Sequence, residues 1–235
     1  MKKLLACMTA AIGITAFAAE SEAAPIPVEL MLAIDASGSI SVADYALQIG
    51  AYASVLNSAL ITTDSTIAIG IIQFGADIET IFPLTVIDAA AKANLVAAIT
   101  GANRNTINTG ATAIGDAINA AQAMLAALNH ANTNQIIDVS TDGVSNFGAD
   151  AALASNAAFA NGTAVNCLGV GAGAQCAFND GEGFDILVNN FAGFQTALEQ
   201  KIRQETGQVP EPATLALFGL GLAGLGFAAR RRAAH

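Results

Sequence analysis

Hydrophobic and polar positions along the chain fall into two alternating kinds of run. Short, nearly continuous apolar runs occupy Val28 to Ile34, Thr66 to Phe74, Gln135 to Val139 and Thr163 to Val170. Their length and β-branched content predict strands buried on both faces, as in a parallel sheet. Longer stretches between them predict helices at Ser41 to Ala59, Asp88 to Ile99, Ala113 to Leu128, Asp150 to Ala160 and Phe194 to Glu205. Ser41 with Asp44 three residues on is an N-terminus signature, and Asp88 is a cap of the same kind. After the turn Gly75-Ala76-Asp77, Ile78 to Phe82 predicts a short antiparallel partner strand ended by Pro83, and Thr100 to Gly110 a polar loop. A further strand is expected within Asp185 to Phe191. Strands alternating with helices predict a three-layer α/β/α sandwich with a mostly parallel central sheet.

Three separated segments fall just past predicted strands or at a predicted helix start. They are Ile34-Asp35-Ala-Ser37-Gly-Ser39, Gly110-Ala-Thr112-Ala-Ile-Gly115 and Val139-Ser-Thr-Asp142-Gly143. In an open parallel sheet such segments converge at the carboxyl ends of the strands, where ligands bind. Two carboxylates and three hydroxyls offer oxygen donors only, which suits a hard cation such as Mg²⁺, Mn²⁺ or Ca²⁺ and disfavours Zn²⁺. Each residue also has a plainer role open to it. Ser37 and Ser39 are suited to capping the helix near Ser41, Thr112 to capping the helix at Ala113, and Asp142-Gly143 to a turn. Asp35 resists such a reading, because a carboxylate at the end of a buried strand needs a partner.

The ordered set Asp35, Ser37, Ser39, Thr112 and Asp142 resembles the von Willebrand factor A domain and its metal-ion-dependent adhesion site (MIDAS), over roughly residues 28 to 206. The resemblance implies the Rossmann-like fold of that family. It also implies Ser37, Ser39 and Thr112 as direct ligands of a divalent ion, Mg²⁺ or else Mn²⁺ or Ca²⁺, with Asp35 and Asp142 binding directly or through water. An open coordination position would then take a carboxylate from a protein or matrix partner.

The ends carry addresses rather than fold. Lys2 and Lys3, the apolar Leu4 to Ala19 and the small residues near Ala23 have the layout of a secretory signal peptide. Val209-Pro210-Glu211-Pro212, an apolar stretch Ala213 to Ala229 and the basic Arg230, Arg231 and Arg232 close the chain. Those 17 apolar residues would span about 25 Å as a helix, the short end for a bilayer crossing, with the arginines on the cytoplasmic side. This order resembles the PEP-CTERM sorting tail of Gram-negative bacteria. The resemblance implies transient inner-membrane anchoring, processing by an exosortase, and export to the cell surface or extracellular matrix. The expected division is a signal peptide over 1–23, one α/β domain over 25–207 and a sorting tail over 209–235.

Net charge is −10. Setting both ends aside leaves four basic and sixteen acidic residues, about −12, which argues against nucleic acid and anionic membrane surfaces as partners. Of three cysteines, Cys167 and Cys176 remain after leader removal, and an oxidising compartment predicts a disulfide between them. The acidic, Gly-rich loop with Asp180 and Glu182 reads as a solvated turn or a second ion site, but lacks the spacing of an EF-hand. His130, the only histidine outside the ends, suits a helix C-terminus. Asp116 reads as a helix-surface charge. No nucleophile elbow or phosphate-binding loop is present. The function expected is a non-enzymatic, metal-dependent adhesion module. Its alternatives are a matrix component whose ion only staples loops, and a metal-dependent hydrolase, for which a general acid is missing.

Overall fold

The structure is a computed structural model that describes residues 28–128, 133–178 and 183–208. Six strands form one sheet in the order β3-β2-β1-β4-β5-β6. They are β1 (Val28–Asp35), β2 (Asp64–Phe74), β3 (Ile78–Asp88), β4 (Asn134–Thr141), β5 (Thr163–Val170) and β6 (Asp185–Val188). Only β3 runs antiparallel to its neighbour. The helices are α1 (Val42–Asn57), α2 (Ala89–Thr100), α3 (Ile114–Leu128), α4 (Ala151–Ala160) and α5 (Phe194–Glu205). Strand β1 is buried over its whole length, because parallel strands linked by helices are covered on both faces.

The alternation along β1 divides the core. Leu30, Leu32 and Ile34 pack with α1, α2 and α5, while Met31 and Ala33 pack with α3 and α4. The architecture is therefore the expected α/β/α sandwich. Asp35 is in phase with Met31 and Ala33, which turns its side chain toward the α3 layer.

Two expectations change. The third strand does not stop at Pro83 but runs to Asp88. It is an edge strand, where a missing N–H costs little, and its pairing with β2 shifts register around Pro83, between Ile71↔Phe82 and Ile69↔Thr85. The polar loop 100–110 contains a 3₁₀ turn, Arg104–Thr106, whose Arg104 is buried. The caps at Ser41 and Asp88 match their sequence signatures, and Asp150 caps α4 as well. Ser41 accepts from the Asp44 N–H and donates to its carboxylate, Asp88 accepts from Ala91, and Asp150 from Leu153.

Between α5 and the sheet lies a buried ionic cluster that the hydrophobic pattern hides. Lys201 and Glu205 of α5 and Asp138 of β4 are almost fully buried. Lys201 pairs with Asp138 and, at 2.8 Å, with Glu205. Asn166 donates to the same Glu205 oxygen at 2.8 Å, and the Lys201 ammonium lies 5.5 Å from the Phe184 ring centroid. One lysine faces two carboxylates. Burial, then the neighbouring Asp138 charge, pushes the Glu205 carboxyl up from 4.5 to about 7, and burial also raises Asp138. Between those values the native state holds a proton that the unfolded chain has released, so stability falls as pH rises through the window. Urea midpoints should therefore fall between pH 5 and pH 8, and Glu205→Gln should flatten that part of the slope. An unchanged slope in the variant would place the titration elsewhere.

Candidate functional site

The carboxyl ends of β1 and β4 meet the start of α3 at one rim of the sheet. Backbone bonds fix the first loop: Ala36 N–H donates to Phe74 O at 2.8 Å and Gly38 N–H to Thr109 O at 2.7 Å. Gln48 of α1 donates to the Asp35 carbonyl at 2.8 Å. The buried Arg104 guanidinium donates to the carbonyls of Ser37, at 2.8 Å, and Ile40, and packs 5.8 Å from the Tyr45 ring centroid. A cation spent on two carbonyls satisfies a buried turn that has no ladder partners.

On that frame, four of the five candidate side chains form a connected string. Asp35 accepts the Ser37 N–H at 2.8 Å through one oxygen and the Thr141 hydroxyl at 2.6 Å through the other. Ser37 Oγ lies 3.1 Å from Ser39 Oγ, and Ser39 donates to Asp142 at 2.6 Å. Ser37 and Ser39 do not cap α1, since Ser41 holds that position. Thr112 is placed by its backbone: its N–H donates to Asn146 Oδ1 at 2.9 Å and its carbonyl accepts from Asn146 N–H at 3.0 Å. Ser39, Thr112 and Gly143 line one open cavity of about 590 Å³. Burial raises the Asp35 carboxyl to about 6 against the lowering effect of the Ser37 and Thr141 hydrogen bonds. A positive charge beside it would favour the ionised form. The donor set, five oxygen-bearing side chains with only two formal charges, fits a hard divalent ion.

Sequence reasoning missed Thr141, Arg104 and Asn146. Thr141 sits beside a proposed ligand and was readable as a hydroxyl at a strand end. The other two act through backbone closures that no local pattern marks. Asp116 also departs from the surface role expected of it: it accepts the Ala149 N–H at 3.0 Å and ties α3 to the loop before α4. Close packing there leaves no room at Gly115, where an added Cβ would lie 2.2 Å from Ala149 O. Gly115→Ala should cost roughly 1–3 kcal/mol through forced backbone movement, measurable by urea denaturation. A loss below a few tenths would show the loop is free to shift.

Cys167 of β5 and Cys176 are joined by a disulfide, with Cα atoms 5.7 Å apart. The loop it closes leans on the Asp142-Gly143 segment: Gln175 N–H donates to Gly143 O at 3.2 Å. Among the described residues no helix is long and apolar enough to cross a membrane. The leader, His130, Asp180, Glu182, the Val209–Pro212 motif, the apolar tail and Arg230 to Arg232 lie outside the described residues.

Sheet order and layers are those of the von Willebrand factor A fold. Solved structures with the fold include proximal thread matrix protein 1 of the mussel byssus, at TM-score 0.64 and 21% identity, covering 76% of this chain and 47% of that one. This chain thus matches just under half of the thread protein's length. BatB of Bacteroides thetaiotaomicron aligns at TM-score 0.62 and 22% identity over 77% of this chain and 99% of its own. Manganese-loaded TRAP of Plasmodium vivax aligns at 0.57 and 21%, over 75% and 74%. A further structure of the thread protein has its MIDAS motif occupied by zinc. Residues 25–210 match the model of a family described as protein of unknown function (DUF1194), and the chain belongs to that family. Residues 208–232 match the PEP-CTERM protein-sorting motif, which marks a chain for export and membrane-linked sorting. No curated protein matches the chain.

Proposed function

We propose that the domain is an exported surface or matrix binding module that grips its partner through a divalent cation. Ser37, Ser39 and Thr112 would hold the ion by hydroxyl oxygen, and Asp35 and Asp142 directly or through water. The observation that carries this reading is the string Asp35, Ser37, Ser39, Asp142 drawn from two separate strand ends, with Thr112 across the same cavity. With neutral hydroxyls as most of its donors, a bound ion keeps positive character and attracts a partner's carboxylate.

The chain's own residues prepare this. Thr141 and the Ser37 N–H hold Asp35 in one orientation, Arg104 locks the serine loop, and Asn146 fixes Thr112. Mg²⁺ is the first candidate, with Mn²⁺ or Ca²⁺ next. The thread protein's motif is occupied by zinc, which keeps a softer ion among the candidates that titration would compare. We place the protein as a precursor with a cleavable leader over 1–23 and a tail over 209–235 that holds it in the inner membrane for an exosortase-type enzyme. The mature domain, 25–207, would then reach the cell surface or extracellular matrix of a Gram-negative bacterium. Thread-matrix and pilus-adhesin relatives in fold support an adhesive role, as does an acidic surface unsuited to nucleic acid.

The test is retention of the purified domain on surface material from the source cells, with Mg²⁺ and then with chelator. Retention should disappear with chelator and return on adding the ion. Retention that ignores the chelator would overturn the reading.

A further inference from the structure

The buried cluster under α5 has a charge left over. Lys201 sets one positive charge against the carboxylates of Asp138 and Glu205, all three almost fully buried. Glu205 Oε1 takes the donors of both Lys201 and Asn166, whereas Oε2 receives no hydrogen bond. A buried carboxylate oxygen without a donor is costly, and in a native fold it calls for a role.

A cavity of about 410 Å³ adjoins the cluster, with Glu205 and Asn166 in its wall. Asn134, Gln135 and Ile136 also line it, so it lies where β4 begins, at the opposite end of the sheet from Asp35. Phe159 of α4, 43% exposed, and the half-buried Phe184 supply two aromatic rings. The buried amides are fixed. Asn166 donates to Glu205 and accepts the Phe184 N–H at 3.0 Å. Gln135 donates to Glu29 at 2.9 Å and accepts from Thr163 at 3.1 Å. A wall held in advance spends little on ordering when a ligand enters.

The charges around this cavity decide what fits. Glu205 is the only charged residue in the described wall. Asp138 of β4 stands beside it, and so does the neutral Tyr52 hydroxyl of α1. Glu29 of β1 lies behind Gln135, and Asp185 of β6 follows Phe184. Lys201 is the one cation among these and is already shared between two carboxylates. A carboxylate flanked by aromatic rings attracts an organic cation. A metal ion would need several oxygens converging on it, and the buried amides here are already engaged.

We propose that this cavity binds a primary alkylammonium group, with the charge at Glu205 and the carbon chain against Phe159 and Phe184. Without the ligand, the surplus charge is masked by a proton, because burial holds Glu205 protonated up to about pH 7. The entering ammonium displaces that proton to solvent, so one positive charge arrives and one leaves. Affinity therefore rises with pH through this window, while an alkylamine stays protonated throughout it. The site shares no residue with the ion rim and stands apart from the adhesive reading.

The probe is n-butylammonium, titrated into the protein by calorimetry with chelator present throughout. Affinity should be roughly 10–30-fold lower at pH 5.5 than at pH 8, the span set by one proton lost near pH 7. Comparing buffers of different ionisation enthalpy at pH 6 should show close to one proton released per amine bound. Glu205→Gln should abolish both binding and proton release with circular dichroism unchanged. Phe159→Ala, at an exposed position, should weaken binding about two- to fivefold. A blocked Gly-Lys-Gly peptide separates the two sources of such a group. Tighter binding of the peptide than of the free amine assigns a partner protein's lysine, and the reverse assigns a small amine.

An equal response to butan-1-ol or to Na⁺ overturns the proposal, as does binding that persists in Glu205→Gln. Absence of binding by both amine probes at millimolar concentration overturns it as well.

Discussion

Asp142→Ala removes divalent-cation uptake from a domain that stays folded. Calorimetric titration with Mg²⁺ should show affinity lower by more than about 100-fold, beyond the 10–100-fold expected when only an outer hydrogen-bonding partner of a ligand is lost. Asp142 is half-buried and accepts a hydrogen bond from Ser39, so its truncation leaves no buried charge stranded. Thr141→Val supplies the graded comparison. It deletes the hydroxyl that orients Asp35 while keeping the shape of a β-branched strand residue, and should fall within the 10–100-fold range. Circular dichroism should remain that of the parent in both. Uptake unaltered in Asp142→Ala would remove the ion from this rim altogether.

Lys201→Met is expected to be the most damaging single change to stability. It leaves Asp138 and Glu205 facing one another in the core with no cation between them. Breaking one side of a buried ion pair costs about 3–5 kcal/mol. In a domain of this size that lowers the melting temperature by roughly 6–20 °C. Part of the penalty is relieved at low pH, where the carboxyls protonate, so the variant should lose least stability in acid. Replacing Asp138, Lys201 and Glu205 together with apolar residues of matched volume should restore much of the loss, because no uncompensated charge then remains. A triple variant as unstable as Lys201→Met would mean that packing, rather than charge, accounts for the damage.

Much of this was legible along the chain. The strand β5 and helix α5 begin and end where their apolar patterns do, at Thr163–Val170 and Phe194–Glu205. The caps at Ser41 and Asp88 were visible because a cap is a local bargain between a side chain and the N–H groups just after it. The edge strand was cut short at Pro83, since the rule that proline ends a strand presumes a central position. Only the sheet order shows β3 to be an edge. Arg104 and Asn146 lacked any signal because their partners, Ser37, Ile40 and Thr112, lie 34 to 67 residues away in sequence.

What the sequence by itself determined is the alternation of strand and helix, hence the layered class, and the inventory of oxygen-bearing residues at strand ends. Tertiary structure decided which of those oxygens meet. The crossover of β1 to lie between β2 and β4 brings Asp35 and Asp142, 107 positions apart, to the neighbouring serines Ser37 and Ser39 of one loop. It also decided the charge cluster on α5, where nothing in the helix's own sequence marks Lys201 and Glu205 as buried. Periodicity reports which side chains share a face. Whether that face meets water or a buried aspartate depends on a strand more than 60 residues away.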